Sequence, residues 1–138
     1  YALPPFPNTW LFRSGVKGES PRQAWAMRAD TNANGDIFGG WLVSQMDLAA
    51  GVLAKRTAKG RVATVAINSM TFLKPVHVGD IVQCYVRLIK QGRSSMTIEV
   101  ETWVEKATGG ELYRVTEGTF IFVAIDENGK SRAIPSDE

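Results

Sequence analysis

One aspartate, Asp47, lies in the middle of a stretch that carries little else polar, "FGGWLVSQMDLAAGVLAK" (38–55). A carboxylate there is the first candidate for chemistry. An ionised group in apolar surroundings is costly unless it is paired or hydrogen-bonded, and a broken local rule of this kind often marks function. Two glycines, Gly39 and Gly40, open the same stretch. If the stretch is a helix, its first turn presents unpaired N–H groups and a partial positive charge, and glycine lets a carbonyl oxygen come close to them. That is an oxyanion-hole arrangement. Gly39 and Asp47 are then about 12 Å apart along one helix, at about 1.5 Å rise per residue. They reach one carbonyl together only if they belong to different subunits, as in two helices packed about a two-fold axis. The plainer alternative is a buried Asp satisfied by a backbone N–H or by Ser44 at a subunit contact.

The turn before this stretch, "DTNANGDIFGGW" (30–41), begins like an EF-hand calcium loop. Such a loop needs a bidentate Glu at its twelfth position, and Trp41 stands there, so no calcium site is expected. The glycines lack the Lys and Ser/Thr of a phosphate-binding P-loop and the spacing of a dinucleotide fingerprint. Asn32, Asn34 and Asp36 read as turn formers through local side-chain to backbone hydrogen bonds. The one His, His77, excludes sites built from several imidazoles, and the one Cys, Cys84, excludes an internal disulfide and fits a reducing compartment, by default the cytoplasm. A net charge of +2 gives no argument for nucleic acid. No run of apolar residues is long enough for a membrane helix, and the N-terminus lacks a signal-peptide pattern. No metal or cofactor is implied.

The 138 residues suit one domain with a real core. Residues 1–20 are Pro-rich and aromatic at their start and read as an extended or poorly ordered arm, with a single domain over 21–138. "RQAWAMR" (22–28) predicts a short strand. The helix spans about 38–55, with Asp36 as a cap and "KRTAKG" as a C-terminal signal. It is apolar nearly all round, which predicts a buried helix wrapped by a sheet. Residues 61–75, 80–91, 93–106 and 111–126 predict four long strands. Val82, Cys84, Val86 and Leu88 alternate with Gln83, Tyr85 and Arg87, and Met96, Ile98 and Val100 with Thr97, Glu99 and Glu101. Short turns between them imply antiparallel neighbours. The fold class is α+β, an antiparallel sheet with one helix against a face. On the helix, Gly40, Val43, Ser44, Ala50, Gly51 and Ala54 lie three, four or seven residues from Asp47 and predict a small-residue face with room for another backbone or a substrate.

"ADTNANGDIFGGWLVSQMD", "AINSMTFLKPVHVGD", "GRSSMTIEVE" and the terminal "GKSRAIP" together resemble the hotdog-fold acyl-CoA thioesterases of the YciA-like group, over about residues 25–135. The resemblance implies a hotdog fold, a long central helix wrapped by an antiparallel sheet, and obligate dimers often assembled as hexameric trimers of dimers. It implies that Asp47 of the "SQMD" motif activates water or attacks the thioester, and that the backbone N–H of Gly39 or Gly40 polarises the thioester carbonyl. It implies contacts to the coenzyme A portion from Lys74, from Gly92, Arg93, Ser94 and Ser95, and from Arg132, with Asn32 also a substrate contact. Taken alone, Lys74 also fits a solvated strand end, Arg93 an exposed hairpin charge, and Ser94 and Ser95 an ordinary strand start. Coenzyme A belongs to the substrate, so no separate cofactor is implied.

Asn68 stands where many of these proteins carry an acidic residue, which bears on rate or substrate preference. His77, in the "PVHVG" turn, is expected to be exposed and badly placed for a dehydratase, which favours hydrolysis. Cys84 reads as core rather than nucleophile, and Trp103 and Tyr113 as sheet or subunit contacts. The alternative function is a non-catalytic acyl-CoA sensor on the same fold. Sensors of that kind usually carry a DNA-binding segment, for which this length leaves no room.

Overall fold

The computed structural model describes residues 22–25, 36–37, 39–106, 109–110 and 112–136. Its elements run β1 (Arg22–Trp25), α1 (Gly39–Ala58), β2 (Val62–Phe72), β3 (Ile81–Gln91), β4 (Ser95–Glu105) and β5 (Leu112–Ala124). The strands form one sheet in the order β1-β3-β4-β5-β2, and every pairing is antiparallel. β3, β4 and β5 follow one another through short turns. β2 reaches the far side of β5 and stands at the sheet's edge. The expected arm (1–20), residues 26–28 of the first strand and the calcium-like start of the turn (30–35) lie outside the described residues.

The alternation read from the sequence becomes the face that packs on α1. Val82, Cys84 and Val86, Met96, Ile98 and Val100, and Phe120, Phe122 and Ala124 are all buried. α1 meets them with Leu42, Met46, Ala49, Ala50, Leu53, Ala54 and Ala58. Each large side chain buried this way contributes about 1.5–3 kcal/mol. Cys84 is part of this core, with its sulfur 3.6 Å from the Thr102 hydroxyl.

α1 runs a turn further than the apolar pattern suggests, because its end is set by backbone geometry. Lys59 takes a left-handed φ of 54°, and the Gly60 N–H donates to Lys55 O at 3.2 Å, closing a Schellman-type cap. Arg132 completes that end. Its Nη1 donates to Ala58 O at 3.0 Å, its Nε to Ile125 O at 2.9 Å and its Nη2 to Arg61 O at 3.3 Å. A Cβ on Gly60 would lie 2.7 Å from Arg132 Nη2, so glycine is what lets the guanidinium in.

One expectation changes in detail. The sheet covers only one side of α1, so the helix is not enclosed within a single chain: Leu48 and Val52 remain 51% and 44% exposed. On the sheet's other face, Gln83 and Tyr85 are also buried, at 1% and 3% exposure, and the Tyr85 hydroxyl donates to Gln83 Oε1 at 2.7 Å.

Candidate active site

Asp47 faces the open side of α1. It is half-buried, and its Oδ1 accepts a hydrogen bond from the Thr64 hydroxyl at 2.7 Å. Ser44 is not its partner, since the Ser44 hydroxyl donates back to Trp41 O at 2.7 Å, within the helix. Among the described residues Thr64 is the one hydrogen-bond partner of this carboxylate. Thr64 is the functional residue that sequence reasoning missed. A threonine in a β-branched strand carries no signal of its own, and only the fold places β2 beside the middle of α1.

The small-residue face is real but divided. Ala50 and Ala54 pack into the core, whereas Gly40 and Ser44 are exposed and Gly51 is half-buried. β2 beside them is irregular. Its register with β5 shifts between Thr64 and Ala66 and again between Asn68 and Thr71, and Ser69 sits in the second irregularity with φ of 54°. Bulges of this kind twist and re-aim an edge strand. Val65, Ile67 and Phe72 project as exposed apolar side chains. Ile67 pairs with Phe120 on the helix side, while Asn68 pairs with Thr119. Cross-strand partners share a face, so Asn68 lies on the opposite face from Asp47 within one chain.

At the start of α1 a cavity of about 360 Å³ is lined by Asp36, Gly39, Leu42, Phe72, Lys74 and Val76, among others. The Phe72 ring closes on the helix: a Cβ on Gly39 would lie 3.3 Å from it. Gly40, the next residue of the same first turn, is exposed. Lys74 Nζ lies 5.2 Å from the centre of the Tyr113 ring, and Lys106 Nζ 5.5 Å from it. Hydrogen bonding to Tyr113, then the charge of Asp80, holds the Lys106 ammonium above its ordinary range, against the opposing effect of burial. His77 is exposed, as expected, and pairs with Asp36 across this cavity. Trp103 is a sheet contact, donating from Nε1 to Glu101 Oε1 at 3.0 Å.

The residues expected to meet coenzyme A divide into two groups. Lys74 stands with Gly39 at the start of α1. Gly92, Arg93, Ser94, Ser95 and Arg132 gather at its other end. There the Gly92 N–H donates to Ser95 O, Ala124 N–H to Ser94 O, and Ile134 N–H to Arg93 O, while Arg132 caps Ala58. The helix of 20 residues separates the groups by about 30 Å. One chain does not bring them together. Arg132 is moreover committed at each of its three nitrogens to a backbone carbonyl, so its role in this chain is structural and only its remaining N–H groups could face a phosphate. Asn32 lies outside the described residues. Among the described residues no cluster of His, Cys, Asp and Glu fit for a metal ion occurs, and no helix is long and apolar enough to cross a membrane.

The sequence profile of the thioesterase superfamily matches residues 34–111. The chain belongs to that superfamily. Within it, the chain is 53% identical over 122 residues to the acyl-CoA thioester hydrolase YciA of Salmonella typhimurium, covering 86% of this chain and 92% of that one, and it falls in the YciA-like group. A hexameric thioesterase from Yersinia pestis superposes with a TM-score of 0.82 at 56% identity, covering 88% of this chain and 99% of that one. A hexameric hotdog fold thioesterase of Campylobacter jejuni gives a TM-score of 0.79 at 34% identity, covering 85% and 91%. The fold is the hotdog fold.

Proposed function

We propose that this chain hydrolyses acyl-CoA thioesters, fatty or short-chain, to the free acid and coenzyme A. The observation that carries this reading is the Asp47 carboxylate, half-buried on the open side of α1, where among the described residues only the Thr64 hydroxyl bonds to it. The carbonyl oxygen of the thioester accepts from the backbone N–H of Gly39 or Gly40. Asp47 takes a proton from water as the water oxygen bonds to the carbonyl carbon. The C–S bond then breaks and the proton passes to the leaving sulfur. In the alternative route the carboxylate itself attacks, and water opens the resulting anhydride.

Neither route closes within one chain, because Gly39 and Asp47 are separated by about 12 Å of helix. A two-fold partner supplies the missing half. Exposed Leu48 and Val52 on α1, with Val65 and Ile67 on the edge strand, are the apolar surface such a partner covers. Antiparallel helices crossing at Val43 bring Gly39 level with the partner's Asp47. The same crossing carries the C-terminal end of each helix past the start of the other, so Gly92–Ser95 of one protomer and Lys74 of the other border one groove. Lys55, Lys59, Arg61, Arg93 and Lys130 make that end strongly basic, against Asp126 and Glu127, which suits the phosphates of coenzyme A. The hexameric relatives support three such dimers as the assembly. A reducing, cytoplasmic setting fits the buried thiol of Cys84, the chain's one cysteine.

The test is free thiol released from acyl-CoA by the wild type and by Asp47→Asn. Asn keeps the shape and removes the base. A rate in Asp47→Asn equal to wild type refutes the mechanism. Wild type that binds acyl-CoA and releases no thiol is the sensor instead.

A further inference from the structure

Leu73, Lys74, Pro75 and Val76 of the loop between β2 and β3 (73–80), with Asp36 and Ile37, line the cavity at the start of α1. Two contacts join these segments. Ile37 N–H donates to Val76 O at 3.0 Å, and His77 Nδ1 lies 3.2 Å from Asp36 Oδ1. The loop is fixed from behind. His77 N–H donates to Asp80 Oδ2 at 3.0 Å, Asp80 N–H returns a bond to His77 O at 3.1 Å, and Lys106 Nζ stands 3.4 Å from the buried Asp80 carboxylate. Lys106 and Lys74 both lie over Tyr113. Among the described residues, the charged groups around the imidazole are Asp36 beside it, Asp80 behind, paired with Lys106, and Lys74 further along the same loop.

We infer that His77 is a positioning residue, whose side chain draws the Asp36–Ile37 segment against the loop and so holds the first turn of α1, with Gly39, ready to receive a thioester carbonyl. This rests on the acyl-CoA hydrolase reading for its consequence, but not for its geometry. A donor on Nδ1 meets the Asp36 carboxylate 3.2 Å away, a charge-assisted contact. When the tether loosens, fewer molecules present the ordered cavity. Apparent affinity falls by that fraction, while turnover of bound substrate does not.

The experiment measures KM and kcat for one acyl-CoA in wild type, His77→Ala, His77→Asn, Asp36→Asn and the double variant His77→Ala/Asp36→Asn. KM is expected to rise about two- to fivefold in His77→Ala, the scale of a half-exposed pair, with kcat unchanged. His77→Asn, which keeps a neutral donor near the Nδ1 position, should give an intermediate KM. The double variant should be no worse than the more impaired single variant. A KM in His77→Ala equal to wild type, or additive effects of the two substitutions, overturns the inference. A wild type that releases no thiol sinks only the hydrolase reading. The tether is then judged by hydrogen exchange of the Ile37 amide without substrate. Exchange about two- to fivefold faster in His77→Ala supports it, and equal exchange refutes it.

Discussion

Replacing Thr64 with Val tests the contact that the fold, and not the sequence, adds to the Asp47 carboxylate. Valine keeps the β-branched shape, so β2 has no reason to shift, and it removes a 2.7 Å hydrogen bond from the hydroxyl to Asp47 Oδ1. A hydrogen bond to a charged group is worth about 1.5–3 kcal/mol. Both groups are partly open to solvent, which places this one at the lower end, about 1.5–2 kcal/mol. At about 1.4 kcal/mol per factor of ten, the expected loss is about 10- to 30-fold in kcat/KM if the bond holds the carboxylate in its reactive orientation. The assay is continuous thiol release from acyl-CoA, with a urea unfolding curve beside it. The same bond contributes to the fold, so unfolding should change by no more than about 2 kcal/mol, and the rate loss is read on protein that the urea curve shows to be folded under the assay conditions. Thr64→Ser, which keeps the hydroxyl, should recover most of the rate. A Thr64→Val enzyme within twofold of wild type would show that the carboxylate is oriented by something else, and the role given to Thr64 would be wrong.

Arg132→Ala should cost about 2 kcal/mol of stability through the hydrogen bonds it takes from Ala58 O and Ile125 O at the end of α1, while Arg61 O keeps the Ile125 N–H. This is read as a lower urea midpoint at unchanged slope, and Lys at this position should not rescue it, because an ammonium lacks the planar fork. Ser69→Gly should be neutral or stabilising by up to about 1 kcal/mol, since glycine removes the cost of a left-handed φ of 54° while adding some freedom to the unfolded chain. A drop in the midpoint would refute that account of the bulge. Burial raises the Glu101 carboxyl above its ordinary value, against the lowering effects of the Trp103 hydrogen bond and the Arg114 charge. The folded state therefore binds this proton more tightly than the unfolded one. The resulting stability is full below the unfolded value and lost as pH rises through the folded one. Glu101→Gln should flatten that part of the stability profile just above the ordinary carboxylate range, and an unaltered profile would refute the assignment.

Much of the architecture is legible along the chain because it follows from local periodicity. The alternation of Val82, Cys84 and Val86 against Gln83 and Tyr85, and of Met96, Ile98 and Val100 against their polar neighbours, identifies strands and the face that meets the helix. A run of helix formers ending in basic residues and Gly60 identifies α1. Its last turn was missed because the left-handed residue is Lys59, a poor sequence signal for that conformation. Burial of Gln83 and Tyr85, on the other face of β3, depends on what packs over the sheet and is not legible in the alternation.

By itself the sequence determined the element types, the core stripe, and the pairing of a solitary carboxylate with glycines at a helix start. Each of these is local, set by side-chain spacing of two or about 3.6 residues or by one residue's chemistry. The tertiary structure decided what depends on distant segments meeting. It placed β2 at the edge beside Asp47, so that Thr64 reaches the carboxylate. It set Arg132 at the end of α1, where its three nitrogens meet backbone carbonyls. It set Lys74 and the Gly92–Ser95 hairpin at opposite ends of α1, so that one substrate can touch both only across two chains. The reason is that strand order and register are settled by burial of whole faces, a property of the packed chain that no short window of residues contains.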